Sequence, residues 1–166
     1  MKPKGRDINE FLLRVATLDN LDDLLRHRSA MLVEMGFSRD DVAPVLSAAR
    51  TYLQHALPDG SCRAWLALHE QEIIGGGFLV IADWPGVPRC AGPHCPWILN
   101  VYVEPEFRHK GVARLLMKQM IEYCRNAGFP FVSLHASEDG KPLYEKLGFE
   151  PTNEMRLNLE TPQSTK

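Results

Sequence analysis

The sequence predicts one mixed α/β domain of the α+β kind, and three observations lead to it. Strand-like and helix-like patterns alternate along all 166 residues, with no internal repeat, low-complexity tract or dividing linker. The length suits a single domain with a sizeable core. The balance of 45% hydrophobic against 24% charged residues is that of a globular chain rather than a disordered one.

The elements follow in order. Phe11 to Ala16 is short and apolar enough for a first strand, and Leu18 to Met35 repeats Leu21, Leu24, Leu25 and Leu32 at helical spacing, with Asp19 or Asn20 as its cap. Ser38 caps a second helix expected from about Asp40 to Ala56, and Pro58-Asp59-Gly60 supplies the turn after it. Arg63 to His69 and Ile73 to Ala82 form a hairpin around Glu70-Gln71-Glu72. Gly75-Gly76-Gly77 inside the second of these strands points to a bulge or to a close approach by another group. Trp84 to Pro96, with four prolines and two glycines, reads as a long structured loop beside the substrate.

Trp97 to Val103 makes a buried strand that Pro105 terminates. Glu106 to Ala113 then leads into a helix whose apolar face is Val112, Leu115, Leu116, Met120, Tyr123 and Cys124. Gly128 is set for a left-handed cap and Pro130 forbids continuation, so Phe131 to Ala136 returns as a strand. Asp139 caps a short helix with Pro142 in its first turn, Gly148 closes it, and Met155 to Leu159 alternates as a final strand. The divisions are a leader over 1–9, one domain over 10–160 and a polar tail over 161–166.

A net charge of -2 offers no general attraction to nucleic acid or to an anionic membrane, and no local basic patch replaces it. Ile73 to Ala82 is far shorter than the roughly 20 residues a membrane span needs. Met1 to Glu10 lacks the apolar stretch of a signal peptide, so a cytoplasmic protein is expected. Cys62, Cys90, Cys95 and Cys124 have no framework spacing and read as free thiols of a reducing compartment. Cys90, His94 and Cys95 lack the spacing of zinc ligands, and no metal is expected.

The chemistry concentrates after Val103. The first amides of a helix have no internal partners and lie at the positive end of its dipole, where anions bind. Gly111 and Ala113 remove bulk where a diphosphate touches the backbone. The segment has neither GxGxxG nor the phosphate loop of nucleotide hydrolases, so dinucleotide binding and nucleotide hydrolysis lose support.

Arg108-His109-Lys110-Gly111-Val112-Ala113 resembles the R/Q-x-x-G-x-G/A signature of the GNAT superfamily of acyl-CoA-dependent N-acyltransferases. Leu143-Tyr144-Glu145-Lys146-Leu147-Gly148-Phe149 resembles that family's late helix and following strand, one strand downstream as the family requires. The resemblance covers nearly the whole chain, its N-terminal half in pattern only. It implies a mostly antiparallel sheet of about six to seven strands with about four helices, splayed between Trp97–Val103 and Phe131–Ala136.

By the same resemblance, the amides of Arg108, His109, Lys110, Gly111, Val112 and Ala113 cradle the pyrophosphate of acetyl-CoA, the acetyl donor. Main-chain groups of Val101 and Val103 hold the pantetheine arm and thioester, and one of their amides meets the oxyanion. Ser137 stands where relatives often have asparagine. Tyr144 is the implied acid for the departing thiol, with a core tyrosine as the rival reading. Some relatives carry a glutamate early in the cofactor strand where this chain has Trp97, which leaves the base open among Glu34, Asp83, His94, Glu104 and water.

Arg26, His27 and Arg28 read as a solvated helix face; facing the site, they favour an acceptor bearing a carboxylate or phosphate. The implied activity is N-acetylation of a small-molecule or peptide amine by direct attack, in a chain that admits a homodimer. A non-catalytic acyl-CoA sensor is the alternative.

Overall fold

The computed structural model describes residues 10–159; the leader and tail expected at the two ends lie outside the described residues. The chain forms two compact units, one running to His135 and one starting at Ala136.

In the first unit, β1 (Leu12–Val15), α1 (Leu21–Glu34), α2 (Arg39–Asp59), β2 (Cys62–His69), β3 (Glu72–Asp83), β4 (His94–Val103), α3 (Val112–Asn126) and β5 (Ser133–Leu134) follow one another. The sheet order is β1-β2-β3-β4-β5, antiparallel except for the parallel β4–β5 pair. Five strands stand among the described residues where six to seven were expected.

Capping residues fix the helix starts. Ser38 accepts from the Asp41 amide at 3.2 Å, as its position predicts. At α1 the cap position is Asn20, one of the two expected, without a side-chain capping bond; Thr17 caps the 3-10 turn over Leu18–Asn20 ahead of it, its hydroxyl accepting from the Asp19 amide while the Asn20 side-chain oxygen accepts from the Thr17 amide. Pro58 does not stop α2, which runs on to Asp59 and ends at Gly60 with φ +82°. Glu70 and Gln71 both take positive φ, the two-residue turn that matches strand twist, and so close the β2–β3 hairpin without a glycine.

Strand alternation builds a core on each face of the sheet. Ala64, Leu66 and Phe78 pack with Leu24, Leu25 and Leu53 of α1 and α2. On the opposite face Trp65 meets Tyr123 of α3 edge-on at 5.5 Å, and Val112, Leu116, Met117, Met120 and Cys124 are buried. Met117 joins this face although it was not among the residues expected there, while Leu115 and Tyr123 are half-buried. Gly128 at φ +79° ends the helix as its position predicts.

The three glycines of β3 serve both expected purposes. Between Gly76 and Phe78 the register with β4 slips, so that Asn100 and Val101 together oppose Gly77, and Asn100 takes a left-handed φ of +57°. A Cβ at Gly75 would stand 2.7 Å from the Tyr102 carbonyl, and one at Gly76 2.9 Å from that of Trp65.

Two expectations contract. β5 keeps only Ser133–Leu134 of the strand read over Phe131 to Ala136, and β4 begins at His94, taking in part of the loop read up to Pro96. In the second unit α4 spans Lys141–Lys146, and Met155 to Leu159 forms no strand. Met155, Leu157 and Leu159 are 94%, 79% and 85% exposed, because alternation alone makes no ladder without an edge to pair with.

Candidate active site

A bend joins β4 to α3. Pro105–Phe107 makes a single 3-10 turn with proline at its start, after which His109 at φ +60° and Gly111 at φ +94° turn the chain into the helix. Left-handed backbone costs a non-glycine residue about 1–2 kcal/mol, which explains glycine at the second position. Leu115 donates to the Gly111 carbonyl at 3.0 Å, so the amides of Val112, Ala113 and Arg114 precede the first rung of the helix. A Cβ added to Gly111 meets nothing within 4 Å, so the space over the bend is open. Unspent amides, a helix dipole and open space fit a diphosphate.

The Arg108 side chain is spent inside the fold. Its Nε donates to the Val103 carbonyl at 2.8 Å, its Nη2 reaches both oxygens of Glu34 at 2.8 Å, and its guanidinium lies over the Tyr102 ring at 5.5 Å. The Glu34 bond holds its pKa above the ordinary arginine value. Arg108 thereby ties the bend to β4 and α1 and leaves anion binding to the backbone. Lys110 is exposed, with its ammonium 5.1 Å from the Phe107 ring, and buried Val112 anchors the first turn.

The β4–β5 ladder pairs only Trp97 with Ser133 and Ile98 with Leu134. Two residues later comes the bulge at Asn100 and Val101, so the second half of β4 has β3 on one side and no ladder to β5 on the other. Val101 and Val103 lie in this half.

Arg26, His27 and Arg28 are not a solvated face. His27 is fully buried and tilted over Tyr102 at 5.3 Å, and its pKa is held down at about 4, first by burial and then by Arg26. Arg26 is exposed and hydrogen-bonds Glu104, which also accepts from the Tyr102 hydroxyl at 3.3 Å. Arg28 is half-buried, with one guanidinium nitrogen 3.5 Å from the Asn100 side-chain oxygen. Sequence reasoning passed over Asn100, although an asparagine within Ile98-Leu99-Asn100-Val101 is itself the signal for a left-handed residue.

The four base candidates are all engaged. Glu34 is gripped by Arg108 and Glu104 by Arg26. Asp83 and His94 pair with each other at 3.2 Å, about 20 Å of strand from the bulge at ~3.3 Å per residue. The loop between them is also remote from the bend. A cavity of about 360 Å³ lined by residues 89–94 and 127–130 adjoins the other end of α3. In that loop Cys90 donates to the His94 carbonyl at 3.5 Å, and no three potential metal ligands gather among the described residues.

Ser137 and Tyr144 belong to the second unit. The Ser137 hydroxyl and carbonyl accept from the Gly140 amide at 3.2 and 3.1 Å, closing the turn ahead of α4, whose cap position is Gly140 rather than the expected Asp139. Tyr144 lies against Gly140, where a Cβ would be 2.7 Å from its ring, and meets Phe149 edge-on at 6.0 Å. Desolvation raises its pKa, which keeps the phenol protonated.

Residues 30–149 match the model of the acetyltransferase (GNAT) family. The chain is 40% identical over 89 residues to a glucosamine 6-phosphate N-acetyltransferase of Trypanosoma brucei brucei, a match covering 53% of this chain and 58% of that protein. Among solved structures, a GCN5-related N-acetyltransferase from Ralstonia eutropha JMP134 superposes with a TM-score of 0.85 at 32% identity, over 90% of this chain and 98% of that one. A structure described as a predicted acetyltransferase with acetyl-CoA, from Clostridium acetobutylicum, superposes at 0.82 and 24% identity, over 90% and 96%, a likeness of fold.

Proposed function

Because the chain belongs to the acetyltransferase (GNAT) family, we propose that it is an N-acetyltransferase that passes the acetyl group of acetyl-CoA to a primary amine by direct attack in a ternary complex. The observation that carries this reading is the bend at Gly111: helix amides ahead of the first rung, facing open space at the end of a strand that has lost its neighbour. The amides of residues 109–113 hold the pyrophosphate, that of Arg108 being already donated to the Pro105 carbonyl at 3.3 Å, and the main chain at Val101 and Val103 lies along the pantetheine. A main-chain amide beside the bulge receives the charge that develops on the carbonyl oxygen.

The amine nitrogen forms a bond to the thioester carbonyl carbon as the carbon–sulfur bond breaks. Tyr144 gives its phenolic proton to the departing sulfur and recovers one from solvent. The amine loses its proton to water, since Asp83 and His94 lie about 20 Å of strand from the bulge and the carboxylates of Glu34 and Glu104 are neutralised by Arg108 and Arg26. Holding the reactants in attack geometry supplies on the order of 7–11 kcal/mol. The four cysteines are free and buried, with Cys62 and Cys124 pushed up to about 12 and about 11 by burial, which speaks against a covalent acyl-enzyme. A relative that acetylates an amino sugar supports a small polar amine as acceptor.

Coenzyme A release on adding a panel of primary amines tests the proposal. Release that depends on both acetyl-CoA and amine is expected. Acetyl-CoA binding without release from any amine would favour the non-catalytic sensor instead.

A further inference from the structure

Among the arginines of α1, α2 and the bend, Arg39 is exposed and needs no partner, and Arg28 differs from the remaining three. Arg26, Arg50 and Arg108 each pair with a carboxylate, from Glu104, Asp22 and Glu34 respectively. Arg28 pairs with none among the described residues. Its Nε is buried without a hydrogen-bond partner, and its one contact, to the Asn100 oxygen, is at the 3.5 Å limit of a hydrogen bond. Burial pulls its pKa down, the mark of a cation short of compensating charge. Groups of this kind are ordinarily paired, since desolvating an unpaired charge is costly.

The neighbouring orphan, Nδ1 of His27, has a different explanation. A Cβ at Gly76 would stand 3.3 Å from it, so the fold fills that space. Arg28 instead reaches the strand at Asn100, where β4 bulges just past its last pair with β5 and beside Val101, one of the groups assigned to the acetyl donor. A guanidinium presents a planar fork that matches two oxygens of a carboxylate or phosphate.

We propose that Arg28 is the specificity residue of the acceptor site: it reads an oxyanion, a carboxylate or a phosphate, carried by the amine that is acetylated. This rests on the acetyl-transfer reading. An acceptor oxyanion completes the pairing that Arg28 lacks and brings the amine to the stretch of β4 that holds the thioester.

The test measures coenzyme A release by the full chain with primary amines in matched pairs. Phosphoethanolamine against ethanolamine, and amino sugar phosphates against their parent sugars, probe phosphate; β-alanine against its amide probes carboxylate. The anionic member of at least one pair is expected to have the higher kcat/KM by about 10- to 100-fold. Arg28→Met is expected to remove that preference, mostly through KM, while acetyl-CoA affinity and turnover of the neutral amine stay near wild type. Arg28→Lys, which keeps the charge without the fork, is expected to recover part of it. If Arg28 only braces the bulge, both members of each pair fall together in Arg28→Met, and that result overturns the inference. So does equal use of neutral and anionic amines by the wild type, with acetyl transfer still standing. No release with any amine defeats the acetyl-transfer reading and this inference with it.

Discussion

At the scale of the residue, side chains that look catalytic in the sequence are spent on structure, and the anion-binding role passes to the backbone. Arg108 opens the phosphate-binding signature, yet its guanidinium is divided between Val103, Glu34 and Tyr102. Tyr144 has the protonation state an acid needs, because desolvation raises its phenol. Tyr144→Phe is expected to lower kcat by about 100-fold or more with little change in the dissociation constant of acetyl-CoA, measured by steady-state kinetics and calorimetry. Unchanged kcat at saturating substrates would remove the phenol from the mechanism. Gly111 was legible in the sequence, since a glycine between strand and helix announces a backbone need. Arg28 was legible only as one branch of an open reading and Asn100 only as a left-handed residue, because periodicity does not reveal which polar groups the tertiary fold leaves facing each other.

At the scale of the element, the strands facing the bend are joined by backbone approaches that only glycine permits. Gly75 lies so close to Tyr102 that an added methyl reaches the backbone carbonyl at 2.7 Å, and carbonyls of a paired strand cannot swing aside. Gly75→Ala is expected to destabilise the protein by about 1–3 kcal/mol in urea unfolding. A variant as stable as the wild type would show that β3 and β4 can separate there at little cost. The glycine triplet announced a bulge or a close approach, and the structure holds both. Most elements were legible because capping and apolar spacing act within a few residues: Ser38 and Gly128 sit where the chain starts and stops helices. The limits of β5, and Met155 to Leu159, were not legible, since strand length depends on which neighbour remains available to pair.

At the scale of the whole molecule, a buried polar cluster links α1 to the end of β4, and His27 is its titrating member. Its pKa of about 4 lies below the ordinary 6.5, so the unfolded chain binds the proton first as pH falls. This contribution is fully present above pH 6.5, is lost progressively toward pH 4, and amounts to about 3 kcal/mol. Urea unfolding of the wild type across this window is expected to show the loss, and His27→Gln to lack that part of the slope; identical pH profiles would contradict the assignment. The fold class was legible from alternating patterns alone, and the family from two short motifs in the right order. The central claim is that amides at the start of α3 hold the pyrophosphate, and nuclear magnetic resonance of the nitrogen-15-labelled chain tests it most directly. The amide signals of Gly111, Val112, Ala113 and Arg114 are predicted to shift on saturation with coenzyme A and to stay in place with pantetheine, which lacks the diphosphate. Saturation with coenzyme A that leaves those four signals unmoved would contradict the account.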